Sequence, residues 1–408
     1  MHYIFNLFMG QVKQQWIEDE SKGYRLPDEK YVCADHFNDK YLQQYIRDNS
    51  FSGKCEYCGR KTQVIDLRDF IEYTAGKITE YYGNPGDEAL YLASSFYDDE
   101  NEEITGFKRV GCFISPSHAD DFESTAELLS ELDLTTDDSQ LDKDIEDCFI
   151  LDEWIQHHPY MMTEGQELSF MWKMFGRMIK HEQRFTFFKR PEFTGEKLSE
   201  DNSLMDILTE LGVRISEHNL CKENDIATEL YRCRFIKAGE VVDTFDEITS
   251  PPDSNAKQSR MSPAGISMFY GAFDRNTAVI ESSPDGITTS GDYIVGKFKT
   301  KVKLKILDLT DLPQLSFWMP SNWQVIEFLY SFRNEITKPI VRDDRIHMEY
   351  VPSQVFTEYL RYIYRDVKGE KIDGVIYKSS LREATSSNIV LFYNQRTSAD
   401  ILDLVSIT

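Results

Sequence analysis

Long apolar runs are missing from this 408-residue chain. Nothing approaches the ~20 consecutive apolar residues that a membrane-spanning helix needs, so no membrane partner is expected. Basic side chains are scarce, 45 Lys and Arg against 70 Asp and Glu, which gives a formal net charge of −25. Non-specific affinity for nucleic acid comes from Lys and Arg releasing counterions from phosphates, so this balance argues against DNA or RNA as a partner. Residues 1–16 hold a short apolar patch but neither the basic leader nor the small-residue cleavage site of a secretory signal, and a cytoplasmic location is expected. Seven cysteines, an odd number in a chain without an export signal, point away from a disulfide framework and leave metal binding or core packing. Gly-x-Gly-x-x-Gly after a strand and Gly-Lys-Ser loops are both absent, which removes a Rossmann site and a Walker-type site.

What is present is a globular composition, 41% apolar with 13% aromatic, in a chain long enough for two or three domains. The charge is local. Residues 98–153 carry 19 acidic side chains against Lys108, Arg109 and Lys143, whereas residues 229–408 carry 24 acidic against 22 basic. The acidic segment reads as a solvated helical face with loops; a docking surface for a basic partner is the sharper alternative. Three regions follow: 1–62, irregular and aromatic; 63–228, mainly helical by the apolar spacing in 64–82, 167–181 and 203–212; and 229–408. The boundary is expected in the polar run 216–225. Beyond it, 229–235, 302–309, 374–380 and 388–393 read as strands, with helices near 321–336 and 353–366, which is an α+β pattern. Arg177 and His181, with only three residues between them, make a poor ribonuclease pair and read as an exposed helix face.

Cys33 and His36 are followed after 18 residues by Cys55 and Cys58, and Gly59 closes the second pair. Two pairs of soft donors at this spacing can occupy the corners of a tetrahedron, and thiolate with imidazole suits zinc. Four protein ligands make a closed site, so the expected role is structural. Cys112, Cys148, Cys221 and Cys233 lack such companions and read as core residues.

The segment 257–284 places Arg260 before a Ser-Pro-Ala-Gly turn, then an apolar strand ending at Tyr270, then an apolar run closed by Glu281. Singly, each residue has an ordinary structural explanation. Together they resemble the RES family, over about 229–400. Leu230-Tyr231-Arg232 resembles its opening strand, Arg260-Met-Ser-Pro-Ala-Gly265 its Arg-x-Asn-x-x-Gly turn with Ser262 in place of Asn, and Tyr270-Gly-Ala its Tyr-Leu-Ala. Thr277-Ala-Val-Ile-Glu281 resembles its Thr-Ala-x-x-Glu helix, and Gly374-Val-Ile-Tyr-Lys-Ser379 its late strand ending in Ser, with Ser380 as the competing position. The Cys and His pairs ahead of a helical stretch resemble the HEPN-related N-terminal domain found before some RES domains.

The resemblance implies an ADP-ribosyltransferase-like fold for 229–408 and an enzyme that degrades NAD at the nicotinamide–ribose bond, with water or phosphate as acceptor, acting as a toxin or defence effector. Its alternatives are a protein-directed ADP-ribosyltransferase and a catalytically silent interaction protein. NAD is then a substrate; an antitoxin or trigger protein and a homo-oligomer are further partners that the resemblance admits. The residues suit these roles. A guanidinium grips pyrophosphate through paired hydrogen bonds, which fits Arg260 with Arg232 or Arg234 as a second clamp. Glu281 would oppose the charge of an oxocarbenium-like ribose, Tyr270 would cover the nicotinamide or ribose face, and Ser379 or Ser380 would bind a phosphate or the carboxamide.

Overall fold

The computed structural model describes residues 22–86, 123–157, 161–186, 206–237, 239–283, 292–338, 346–379 and 387–408, with the isolated positions 13 and 19. Residues 98–122 of the acidic segment, Cys112 and Ser380 lie outside them. The chain divides into two compact units, Met1–Met162 with Leu315–Trp323, and Thr163–Gln314 with Gln324–Thr408. Among the described residues no helix is long and apolar enough to cross a membrane.

In the first unit β1 (Tyr31–Val32), α1 (Lys40–Asp48), β2 (Phe51–Lys54), β3 (Lys61–Asp66) and α2 (Leu67–Tyr81) follow one another, with the strands ordered β1-β3-β2. Pairing is antiparallel, Val32 opposite Ile65 and Phe51 opposite Val64. Asp39 and Asp66 accept backbone N–H groups at the starts of α1 and α2, which fixes where each helix begins. After β4 (Tyr82–Gly83) come β5 (Glu123–Ser124), α3 (Thr125–Glu131), α4 (Ser139–Glu146) and β6 (Glu153–Gln156), the short strands ordered β4-β6-β5. Here carboxylates of the acidic segment have structural partners: Glu127 closes a capping box with Ser124, Asp138 caps α4, and Asp142 accepts from Thr136. Phe37, Phe70, Leu128 and Trp154 form the core, and Phe317 and Trp318 from the later segment complete it. The Trp318 indole donates to the Leu132 carbonyl at 2.5 Å, and the Lys77 ammonium donates to the Met319 carbonyl at 2.6 Å.

The second unit opens with α5 (Glu164–His181) and α6 (Asp206–Glu217), followed by β7 (Cys221–Glu223), β8 (Glu229–Phe235), α7 (Phe245–Ile248), β9 (Phe269–Ala272) and α8 (Arg275–Ser282). Then come β10 (Tyr293–Thr300), β11 (Lys305–Asp308), α9 (Trp323–Thr337), α10 (Ile346–Glu349), α11 (Val351–Tyr362), β12 (Gly374–Lys378), β13 (Ser387–Leu391), α12 (Gln395–Ile401) and β14 (Leu402–Ile407). The strands form one mixed eight-stranded sheet, β14-β10-β8-β9-β13-β12-β11-β7, in which only β11 and β12 run parallel. The expected α+β architecture is present. Two details depart from the expected boundaries. The polar run 216–225 contains β7, an edge strand paired with β11, and α5 and α6 group with the sheet that follows them. The strand expected over 302–309 starts only at Lys305, because Asn224 Oδ1 accepts the Leu304 N–H at 2.6 Å from outside any ladder.

The apolar stripe of α5 is buried as its spacing predicts, through Leu168, Met171, Trp172, Phe175 and Ile179. Trp172 packs edge-on against Phe332 of α9, which packs in the same way against Phe356 of α11. Arg177, on the opposite side of α5, is exposed and faces Glu182 at 3.7 Å.

Candidate functional site

The cysteine pairs of the first unit meet. Cys33 precedes a single 3-10 turn that carries His36, and Cys55 and Cys58 bracket the knuckle between β2 and β3. The Gly59 N–H donates to the Cys55 carbonyl at 3.0 Å, and Gly59 has φ +70°, a conformation that glycine adopts without strain. The four donor atoms lie within 4.8 Å of one another; Cys33 Sγ is 3.7 Å from Cys58 Sγ, and Cys55 Sγ is 3.5 Å from His36 Nε2. His36 Nδ1 is 2.7 Å from Asp137 Oδ1, which orients Nε2 toward the thiols. Burial pushes the Cys33 thiol up to about 12, while at Cys58 the Arg60 N–H and guanidinium outweigh burial and bring the thiol down to about 6. Three sulfurs and an imidazole converging in a largely buried corner fit a metal ion.

In the second unit one face of the sheet carries a row of residues that lie directly opposite one another: Tyr231 on β8, Ala272 on β9, Asn388 on β13 and Tyr377 on β12. Helix α8 lies over the start of this row, with Ala278 and Val279 packed against Cys233, Ala272 and Val295. Asp274 starts the helix by accepting the Thr277 N–H at 2.9 Å, so Glu281 falls near its end. There the carboxylate meets two donors from separate strands. The Asn388 amide donates to Glu281 Oε1 at 2.6 Å, and the Ser379 hydroxyl donates to the same oxygen. Among the described residues both donors to this carboxylate fall on Oε1, which leaves Oε2 for a ligand.

Arg260 and Tyr270 join the same neighbourhood. Glu281 and Arg260 are charged groups near enough to act on the buried Tyr377 phenol, with Tyr270 and Tyr350 also close by, and burial first, then Glu281, holds that phenol well above the ordinary tyrosine range. Tyr270, pushed up to about 12 chiefly by burial, has its hydroxyl 2.9 Å from Ser262 Oγ. The Arg260 guanidinium sits over the Tyr350 ring and donates to the Ile336 carbonyl at 2.8 Å. Its turn is clamped by α11. Ser353 donates to the Arg260 carbonyl at 2.5 Å, Gln354 donates to the carbonyls of Ser259 and Ser262 at 2.8 and 3.3 Å, and Thr357 reaches Met261 Sδ at 3.2 Å. Gly265 closes the turn at φ +86°.

Arg232 and Arg234 are placed differently. Strand alternation turns Arg232 to the other face, over the Phe269 ring, where its guanidinium donates to the Thr249 and Tyr270 carbonyls at 3.1 and 2.8 Å. Burial lowers Arg232 to about 10. Arg234 pairs with Glu240 and donates to the Glu247 carbonyl. Of the expected residues, then, Glu281, Ser379, Tyr270 and Arg260 come together, whereas Arg232 supports the Tyr270 backbone from behind. Sequence reasoning missed Asn388, Tyr350 and Tyr377. The signal for Tyr377 was period-two alternation, since it stands two residues before Ser379; Asn388 and Tyr350 carried none, because strand register and helix packing bring them in.

Comparison with protein families gives two matches. Residues 229–405 match the RES domain, and residues 48–193 match HEPN/RES N-terminal domain 1. At the family level a RES domain supports an NAD-related, toxin-like function and implies NAD as substrate. No curated protein matches the chain.

Proposed function

We propose, for a chain that belongs to the RES-domain family with an N-terminal HEPN/RES domain, that it is an NAD-degrading enzyme acting at the Glu281 carboxylate. The reaction breaks the bond between C1′ of the ribose and the nicotinamide nitrogen, the electron pair leaving with nicotinamide. A water or phosphate oxygen then bonds to C1′ and releases its proton, giving ADP-ribose or its phosphate. The observation that carries this reading is the fixed carboxylate: two donors converge on Glu281 Oε1, so the other oxygen can accept a ribose hydroxyl while the charge faces the oxocarbenium-like centre. Arg260, held over Tyr350 by α11 and the Ile336 carbonyl, would bind the pyrophosphate, and Tyr270 would cover the nicotinamide ribose. Arg232 would act by holding the Tyr270 strand, and the toxin or defence role follows from depletion of cellular NAD.

Incubation of the full chain with NAD, followed by chromatography, should release nicotinamide. Glu281→Gln should lower the rate by at least about 100-fold, because it removes the charge while leaving the shape. No nicotinamide release, or a Glu281→Gln variant as fast as wild type, would overturn the proposal. Labelled NAD run on a gel separates the readings: ADP-ribose on a macromolecule would favour the protein-directed transferase. For the first unit the proposed ion is structural zinc, held by Cys33, His36, Cys55 and Cys58, and it has no part in NAD cleavage.

A further inference from the structure

We infer that Tyr377 is a substrate-contacting residue whose hydroxyl donates a hydrogen bond to a hydroxyl oxygen of the nicotinamide ribose, an inference that rests on the NAD-cleaving reading. Tyr377 is only 8% exposed. It lies on the same sheet row as Asn388 and two residues before Ser379, the two residues that fix Glu281, so strand alternation turns it toward the carboxylate. The charged Arg260 also acts on it, with Tyr270 and Tyr350 close by.

Its hydroxyl is placed differently from those of four other tyrosines that burial also perturbs. Tyr57 donates to Asp144, Tyr270 meets Ser262, Tyr364 meets Ser216 and Tyr393 donates to Asp373. Among the described residues the Tyr377 hydroxyl has no such partner, although the residue as a whole is nearly buried. On the row that holds the two donors to Glu281, a phenol without a protein partner is a donor open to a ligand. Burial and the neighbouring carboxylate keep the phenol protonated, so it offers a donor where Glu281 offers an acceptor. A vicinal ribose diol needs that combination: one hydroxyl donates to Glu281, and the oxygen of the other accepts from Tyr377.

The test is Tyr377→Phe in the full chain, with nicotinamide release and thermal unfolding measured side by side. The expected result is a fall in kcat/KM for NAD of roughly 10- to 100-fold, from the loss of one donor in a buried site. The midpoint without NAD should stay the same or rise, because the variant deletes a hydroxyl that the free protein leaves unpaired. In a Glu281→Gln background, where turnover is blocked, NAD should raise the midpoint less when Tyr377→Phe is added. Wild-type kcat/KM with an unchanged NAD-dependent shift would overturn the inference, and so would a lowered midpoint with no kinetic effect, which would mark the hydroxyl as structural. A wild-type chain that neither cleaves NAD nor is stabilised by it would sink the NAD reading and this inference together. Cleavage by wild type and by an equally active Tyr377→Phe sinks this one alone.

Discussion

The cysteine–histidine corner of the first unit and the Glu281 site of the second solve the same problem, convergence of polar groups, by opposite means. The first is local: its four donors fall within 26 residues, on one 3-10 turn and one knuckle. The second is assembled from afar. Glu281 takes its donors from Ser379 and Asn388, about a hundred residues later in the chain, and the Arg260 turn is held by Ser353 and Gln354. A local site can be held by a bound ion even if the surrounding unit is small, whereas a dispersed one depends on the whole sheet being in register.

Each consequence of this contrast can be tested. The largest effect is expected in the first unit. Cys55→Ser removes one of four converging donors and should abolish stoichiometric zinc by metal analysis, and should lower the stability of that unit by several kcal/mol, on the order seen when structural metal ligands are lost. NAD cleavage measured under conditions where the second unit stays folded should persist, and its immediate loss would break the separation between a structural corner and a catalytic site. A smaller effect is expected where the second site is held at a distance. Gln354→Ala frees the carbonyls of Ser259 and Ser262 and should raise KM for NAD about tenfold with kcat little changed, because Arg260 in its proposed role would bind the ground state and the transition state alike. An equal fall in kcat would show instead that the clamp reaches the reacting centre. The smallest concerns Glu123 on β5, raised to about 7 by burial and by Glu131. A carboxyl that binds its proton more tightly when folded contributes stability that is present at low pH and lost as pH rises through about 7. Glu123→Gln should therefore raise the thermal midpoint of the first unit at pH 8 and leave it nearly unchanged at pH 5; an equal effect at both would remove the titration argument.

The same contrast explains what the sequence disclosed. The cysteine–histidine corner was legible because its spacing is the geometry: Cys-x-x-His and Cys-x-x-Cys need no distant partner to be recognised. The strand Glu229–Phe235 and the buried stripe of α5 were legible from apolar period alone. The carboxylate and its turn were legible as a resemblance and not as a geometry, for nothing near Glu281 shows that Asn388 will donate to it. Arg232 illustrates the limit. Its place in an opening strand suggested a clamp, yet alternation along β8 turns it away from the row that holds Asn388 and Tyr377. The strands β10 and β14 escaped notice because Lys297, Lys299 and Asp403 interrupt their apolar pattern, and pairing with β8 and with each other supplies the order that pattern alone did not announce.

The placement of Phe317 and Trp318 in the core of the first unit sets a timetable for synthesis. The ribosome finishes the sequence-local part of that unit near Met162 and must add about 150 residues more before the two aromatic rings exist. At ~5–20 residues per second that is a wait of roughly 8–30 s, during which Leu132 and the side chains around it have no indole to close over them. The unit made first is thus among the last to be completed, and a chain cut short before Trp318 would leave it open however intact its own early sequence.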